Sequence, residues 1–317
     1  MDFGKLLSRT NQILLSNKFL FVLGFLAALG GGASFNYSSG NSSGGSAEDF
    51  SGMSEFWSEY APLIIIGVIL IMLLGIAFWL LSLVGQGGLI DSVNRIENGE
   101  TVSLGSGFQA GMGHLLGLVG LQITMYLPLW VPAFLMGLLG AMMAFFAIDG
   151  GEDVVAGLGI VMACSAIFFL CLGLPFLFVV TILYPFAQRG VVIGKMGIVE
   201  AIRHSWAVVR DNISDVILLV LLYGIITVIY GILTFILLLP FGLIMLAMVV
   251  VPVMASGDMG FFTVVLGIIG LITLGFFGAV INSLWVTYRS TATTLAYNEF
   301  MGRVPLSEKD PFAPKMV

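Results

Sequence analysis

Long apolar segments alternate with short polar segments along the chain. Five of the apolar segments contain no Asp, Glu, Lys or Arg, namely 62–84, 115–148, 154–186, 216–255 and 261–287. A membrane-crossing helix needs about 20 apolar residues, so each of these segments is long enough to cross a bilayer. Because unpaired backbone groups are not tolerated in lipid, the segments are predicted to be helices.

A shorter apolar segment, 19–33, follows a basic start that contains Lys5, Arg9 and Lys18. This arrangement fits two interpretations, a cleaved signal peptide or a retained membrane span. We favour the retained span, because the basic region is long for a signal peptide and matches two later polar segments. With this segment included, the chain is predicted to cross the membrane six times.

The longest polar segment of the second half, 188–215, contains a helical pattern with distinct faces. One face is apolar, with residues at spacings of three and four: Val199, Ile202, Trp206, Val209 and Ile213. The charged residues lie off this face: Glu200, Arg203, Arg210 and Asp211. A helix of this kind between two membrane spans, with predicted bounds 197–212, is expected to lie flat in the membrane interface.

The same pattern recurs three times at intervals of about 100 residues. Polar triplets end three of the predicted spans: Gln86-Gly87-Gly88, Gln188-Arg189-Gly190 and Tyr288-Arg289-Ser290. An interfacial helix begins each unit, at 3–17, 103–114 and 197–212. We therefore predict an all-α integral membrane protein with six transmembrane helices, arranged as three parallel helical-hairpin repeats with cytoplasmic interfacial amphipathic helices. The simpler alternative is that the chain has no true repeats. Any six-span protein whose basic and acidic loops alternate shows an apparent periodicity of this kind.

The domain organisation follows from this pattern. We expect a single membrane domain over residues 1–302, with repeats at about 1–100, 101–196 and 197–302. The polar residues 303–317 include three prolines and are expected to form a disordered cytoplasmic tail.

The distribution of charge predicts an orientation. Only 9% of the 317 residues are charged and the mean hydropathy is +1.08, whereas a soluble domain carries about 25% charged residues. All twelve Lys and Arg lie in alternate polar segments, and the intervening segments carry only acids. By the positive-inside rule, the basic segments and both termini are expected to be cytoplasmic in a multi-pass protein of the plasma membrane.

Residues that could support catalysis are few and dispersed. A catalytic centre needs converging acids, bases, nucleophiles or metal ligands. Neither His114 nor His204 has neighbours at a metal-binding spacing, and Cys164 and Cys171 lie seven residues apart within one predicted span. We expect no catalytic residue, no metal ligand, no cofactor and no nucleic-acid partner.

Two groups of residues are candidate binding sites. Anionic headgroups attract cations near the membrane surface by about 1 kcal/mol each, so the first group lies in the basic segments. Its members are Arg189, Arg203, Trp206, Arg210 and Arg289. The second group, Gln122 and Asn282, lies inside predicted spans, where an unpaired amide is costly. These two side chains are expected to pair across helices or to line a cavity.

These observations favour a non-enzymatic scaffold or accessory subunit. Its expected partners are inner-leaflet lipids, another membrane protein or a soluble protein at the cytoplasmic face. The alternative is an uncoupled transporter or channel for a small or lipid-like substrate. No predicted span carries an ionisable residue at its middle, which argues against coupling to protons or ions.

Two stretches, 85–111 and 197–212, carry a resemblance to a known family. The second contains the run Glu200-Ala201-Ile202-Arg203-His204-Ser205-Trp206. On these motifs the chain resembles the membrane domain of certain bacterial glycerophosphodiester phosphodiesterases and related stand-alone, uncharacterised multi-pass proteins. The resemblance implies a prokaryotic membrane protein. Enzymes of that group carry catalysis in a separate soluble domain, which these 317 residues lack, so we expect no such activity here.

Overall fold

A computed structural model describes residues 2–31, 51–148, 152–256 and 261–302, and within these ranges every regular element is an α-helix. The helices are α1 (Phe3–Ser16), α2 (Phe19–Gly31), α3 (Ser51–Glu97), α4 (Leu104–Ile148), α5 (Glu152–Val192), α6 (Ile198–Asp211), α7 (Ile213–Ser256) and α8 (Phe261–Phe300). The prediction of an all-α chain is confirmed. The predicted tail, 303–317, and most of the first long loop lie outside the described residues.

Several helices are long and apolar enough to cross a membrane. Four segments meet this condition within the described residues: Ile65–Glu97, Leu104–Met143, Gly157–Val192 and Ile213–Met245. A fifth arises if the bent pair Phe3–Ser16 and Phe19–Gly30, which meets at 102°, is one broken span. The length and composition of these helices therefore support the prediction of a membrane protein.

Three of the expected breaks between helices are absent. The triplet at Tyr288 does not end a span, because α8 continues through it to Phe300. We expected the triplet at Gln86 to end a span, and 103–114 to form a separate interfacial helix. Instead, α3 continues through Gly87 and Gly88 to Glu97, and α4 is continuous from Leu104. The glycines here allow close helix packing rather than a turn, because a Cβ at Gly88 would collide with the carbonyl of Gly107 in α4.

The two short helices end in the same way. α1 and α6 each contain 14 residues, and each is followed by an asparagine, Asn17 and Asn212. In both cases the asparagine side chain donates a hydrogen bond of 3.0 Å to the backbone carbonyl four residues earlier, on Ile13 and Val208. The asparagine therefore stops each helix directly before the next one begins.

The long helices differ along their length. At one end, which we call the packed end (2–31, 79–126, 180–223 and 283–302), lie nearly all buried side chains of the described chain. Every described Lys and Arg also lies there. The other end, which we call the apolar arms (65–78, 127–143, 157–179, 224–245 and 269–282), buries only Gly270 among its described residues. The fold thus consists of one compact end from which apolar helices extend.

The packed end is closed by helix-to-helix contacts that involve small residues. α3 packs on α4, α5 on α6, and α8 on α1. Gly190 in α5 faces the methyl group of Ala201 in α6, and Gly111 in α4 lies against the carbonyl of Val84 in α3. Small residues let the backbones approach closely, which maximises packing between membrane helices.

Candidate functional site

α6 presents three different faces at the packed end. Ala201, Ser205 and Val208 are buried against neighbouring helices. The apolar stripe that the sequence singled out is divided: Val199 is 59%, Trp206 54% and Ile213, the first residue of α7, 58% exposed. Ile202 and Val209 of the same stripe are half-buried and pack against the core. The exposed part, around Val199 and Trp206, remains available to lipid or to a partner.

The predicted cations of α6 lie beside this stripe. Arg203 and Arg210 are both exposed. They are seven residues apart, close to two helical turns, so they share one side of the helix. That side is adjacent to Val199 and Trp206, which stand four residues before Arg203 and four before Arg210. The helix thus places an aromatic apolar surface next to a basic edge.

Arg189, a third predicted contact residue, is internal. Only 2% of the residue is exposed. Its guanidinium donates hydrogen bonds to the carbonyl of Pro185 and, from Nη2 at 2.8 Å, to the carbonyl of Ser290 in α8. Its Nε has no hydrogen-bond partner among the described residues. Arg189 therefore joins α5 to α8 within the packed end and does not reach the outer surface on which we expected it.

Polar pairs connect the helices of the packed end. Gln188 donates a 2.6 Å hydrogen bond to Gln86, which lies 102 residues earlier. Asn298 donates to Asn94 at 3.1 Å, across 204 residues. Because buried amides are costly when unpaired, these pairs favour one arrangement of α3, α5 and α8 over slipped alternatives.

A buried ion pair attaches α1 to this end. Arg9 donates from Nε to the carboxylate of Glu97 at 3.1 Å, and the Glu97 side chain is 1% exposed. α1 thereby contacts the end of α3, more than 80 residues further along the chain. His204 of α6 similarly meets the hydroxyl of Tyr297 in α8 at 3.1 Å.

Arg289 lies in a groove between α5 and α7, with α8 at its back. The groove has a volume of about 210 Å³. Its polar lining consists of Thr181, Tyr223, Thr227, Arg289 and Thr293. The exposed Arg289 guanidinium carbon lies 5.9 Å from the centre of the Tyr223 ring, and the Tyr223 hydroxyl lies 3.0 Å from that of Thr293. The rest of the lining is apolar.

The two predicted intramembrane amides have different surroundings. Gln122 is half-buried and accepts a long hydrogen bond of 3.4 Å from Tyr184 of α5. It also borders a cleft of about 310 Å³ whose other lining residues are aromatic or aliphatic, including Trp79 and Trp130. Asn282 is half-buried in α8 and makes no side-chain hydrogen bond within the described ranges. Cross-helix pairing is thus seen for Gln122.

The arms contain a larger and almost wholly apolar cleft. It lies between α4 and α5, has a volume of about 590 Å³, and is lined around the prolines of α4 by Pro128, Pro132, Phe168, Phe169 and Leu172, among others. Its one hydroxyl, on Ser165, donates to the carbonyl of Met162 in its own helix. This surface matches lipid tails in polarity.

Metal-ligand groups are not assembled in the part of the chain that the structure describes. No cluster of three or more His, Cys, Asp or Glu is found in those ranges. Cys164 and Cys171 are free thiols, both exposed on the same helix. His114 is half-buried near the start of α4.

Sequence reasoning did not identify Tyr223 or Thr293 as members of a site. Both had a weak signal: Tyr223 is a phenol within an otherwise apolar segment, and Thr293 belongs to a threonine-rich run before Tyr297. Neither signal indicates which residue will face Arg289, because that depends on how α7 and α8 pack.

Comparison with family models gives one match. Residues 7–297 match a model described as "Family of unknown function (DUF7544)". The chain therefore belongs to this family, which is compatible with the expected group of uncharacterised proteins. No link to glycerophosphodiester phosphodiesterases is found. Comparisons with curated proteins and with solved structures give no match.

Proposed function

We propose that this member of the DUF7544 family is a non-enzymatic membrane scaffold or accessory subunit that engages inner-leaflet lipids or a partner protein through its basic end. The observation that carries the proposal is the exposed surface of α6. Trp206 is 54% exposed, and it lies beside Arg203 and Arg210 on a helix whose third face is buried. A helix with an aromatic apolar face and a basic edge suits the boundary between acyl chains and headgroups.

The proposal includes six membrane spans with both termini in the cytoplasm and the packed end facing the cell interior. In this arrangement α2 and α8 join the four long spans. The collection of every described Lys and Arg at the packed end supports this orientation, because basic residues are retained on the cytoplasmic side of the plasma membrane. Residues 1–302 then form one membrane domain.

The proposal also includes three parallel repeats. The equal lengths and equal asparagine stops of α1 and α6 support it. So do the three buried positions of α6, each of which has a buried counterpart in α1, where Leu14 is buried in addition. The corresponding pairs, 195 residues apart, are Leu6 and Ala201, Thr10 and Ser205, and Ile13 and Val208.

Contacts between the polar triplets support the same repeats. Gln86 and Gln188 occupy the same place in the first and second triplets and hydrogen-bond to each other. Arg189 of the second triplet bonds to Ser290 of the third. The contacts of α3 with α4, of α5 with α6 and of α8 with α1 link each unit to the next and close the ring. Parallel repeats around an axis along the membrane normal are expected to meet in this way.

Purification of the full chain in mild detergent tests the lipid-binding proposal. We expect anionic lipids to be enriched in the purified protein relative to the source membrane, and the double variant Arg203→Gln/Arg210→Gln to lose most of that enrichment. Two surface cations contribute about 2 kcal/mol together, which is a loss of roughly thirty-fold at most. Arg95→Gln serves as a control, because Arg95 already pairs with Glu100 at 2.6 Å.

The same preparation separates this proposal from its alternatives. Proteins that co-purify with the wild type and are lost from Trp206→Ala identify a partner at the α6 surface. An unchanged lipid composition together with no such protein contradicts the proposal. Passage of small solutes through vesicles that contain the protein, above the rate of empty vesicles, favours the uncoupled transporter or channel.

A further inference from the structure

The groove that contains Arg289 combines a cationic centre with apolar walls. Phe178 and Ile182 of α5 form one wall, and Leu219 and Val220 of α7 form the other. Of the described residues that line the groove, Arg289 alone is charged. The groove has a volume of about 210 Å³ and is open at its outer side. A molecule larger than this volume can therefore place one part in the groove and leave the rest in the bilayer.

Two guanidinium groups share this region without a counter-charge from the described chain. Arg189 donates to the carbonyl of Pro185, a residue that lines the groove, and lies directly behind its wall. Neither Arg189 nor Arg289 forms an ion pair with a carboxylate over the described ranges. Arg189 is almost completely buried, and its Nε lacks an acceptor in the part of the chain that the structure describes. Arg189 is partnered by backbone carbonyls, but the two positive charges still repel each other, and an anion placed near both relieves this repulsion.

Hydroxyl groups lie next to these cations. The Tyr223 hydroxyl and the Thr293 hydroxyl are 3.0 Å apart, and Thr293 already donates to the carbonyl of Arg289 at 2.7 Å. Tyr223 is therefore the donor in the bond between the two hydroxyls, and its proton reaches a phosphate when the ligand takes the place of Thr293 as acceptor. Phosphate oxygens accept hydrogen bonds from both guanidinium and hydroxyl groups.

We infer that this groove binds one anionic phospholipid of the inner leaflet, with its phosphate at Arg289 and Tyr223 and one acyl chain along the apolar walls. Basic pockets between membrane helices on the cytoplasmic side recognise anionic headgroups in this way. The inference rests on the proposed function, in which the packed end faces the cytoplasm. It adds a single intramembrane site to the broader surface of α6.

Native mass spectrometry of the full chain in mild detergent tests the inference. Phosphatidylglycerol, phosphatidylcholine with the same acyl chains, and inorganic phosphate are added in separate titrations. We expect the first phosphatidylglycerol to bind at least roughly tenfold more tightly than phosphatidylcholine, and Arg289→Gln to remove this preference. Arg289→Lys is expected to restore part of it, because lysine keeps the charge but not the planar fork.

A second variant blocks the groove without changing its charge. Gly224 lines the groove and has open space where a side chain would extend. Gly224→Leu is therefore expected to remain folded and to lose the first, tight lipid. Gly231→Leu is the matched control, since Gly231 also has open space, lies seven residues further along α7 and is outside the groove. It is expected to bind like the wild type.

The outcomes separate this inference from the broader function. A tight site lost in Arg289→Gln and Gly224→Leu but kept in Arg203→Gln/Arg210→Gln supports the groove. Binding that the groove variants do not change overturns the inference, and so does an affinity for phosphatidylcholine equal to that for phosphatidylglycerol. Neither result bears on the α6 surface, which the Arg203→Gln/Arg210→Gln variant tests separately. Binding of inorganic phosphate as tight as that of phosphatidylglycerol also overturns it, because the ligand is then a free anion.

Discussion

The packed end and the apolar arms are parts of the same helices, yet they are built on different principles. In α4, Leu118 and Leu121 are fully buried, whereas Leu127 and Leu135, a few turns further along, are 52% and 54% exposed. The packed end combines glycines, hydroxyls, amides and a buried ion pair between helices. The arms consist mainly of large aliphatic and aromatic residues that face outwards.

This difference indicates where the specificity of the fold resides. Lipid tails are as apolar as leucine, so large aliphatic side chains gain little by packing on each other within a bilayer. Close backbone contact and hydrogen bonds do distinguish one arrangement from another. We therefore expect substitutions at the packed end to control folding, and substitutions in the arms to act weakly.

The largest effect is expected when a close contact between helices is filled. Gly111→Leu places a side chain against the carbonyl of Val84 and is expected to destabilise the protein by about 3 kcal/mol or more, which prevents folding of a marginally stable chain. Gly75→Leu, in the arm of α3 with open space around it, is the control and is expected to be neutral. Gel-filtration yield and unfolding in mixed micelles measure both; equal loss of folded protein in the two variants contradicts the comparison.

The second effect concerns apolar packing within one helix. Leu118→Ala removes a fully buried side chain and is expected to cost about 2–5 kcal/mol. Leu127→Ala, nine residues further along α4, removes one that is 52% exposed and is expected to change the free energy of unfolding by less than about 0.5 kcal/mol. Unfolding by a denaturing detergent measures both values. A larger cost for Leu127→Ala than for Leu118→Ala is incompatible with the division into two regions.

The third effect concerns the internal arginine. Arg189→Met leaves the carbonyl of Ser290 without this donor and is expected to cost about 1–3 kcal/mol. Arg210→Met is the exposed control and is expected to have almost no effect on the melting temperature. If the two variants melt alike, Arg189 does not join α5 to α8 in the manner described.

The smallest effect concerns the amide pair between two of the proposed repeats. Gln86→Leu and Gln188→Leu are each expected to destabilise the protein, because the remaining amide loses a buried partner. The double variant is expected to be more stable than the sum of the two costs implies, by about 1 kcal/mol. A double-mutant cycle from thermal unfolding gives this coupling energy. Strict additivity contradicts a direct bond between the two side chains.

Local chemistry made several elements predictable from sequence. α6 was predicted over 197–212 and is found at Ile198–Asp211, because Gly197 precedes its first turn and Asn212 ends it. The long apolar segments predicted helices, since few other structures satisfy the backbone in lipid. In these cases the determining residues lie within the element itself.

Features that depend on tertiary contact were not predictable. Hydropathy identified the Trp206 stripe of α6 but not the packed face, which contains the polar Ser205. Charge alone placed Arg189 at the surface, whereas the hydrogen bond that it donates to the carbonyl of Ser290 in α8 makes its burial possible. Gly87 and Gly88 resemble a turn in the sequence, and their role becomes visible only with α4 opposite them.

The central claim is that the helix ends on the basic side of the chain meet in one closed, packed end. A thiol crosslinking experiment in native membranes tests it most directly. Asn94→Cys and Asn298→Cys are introduced together in a chain with Cys164→Ser and Cys171→Ser, since Asn94 and Asn298 hydrogen-bond at 3.1 Å. The account predicts rapid intramolecular crosslinking by a short bifunctional reagent at this pair, and little at Ile167→Cys with Ile225→Cys in the arms. No crosslink between positions 94 and 298 in the folded protein contradicts it.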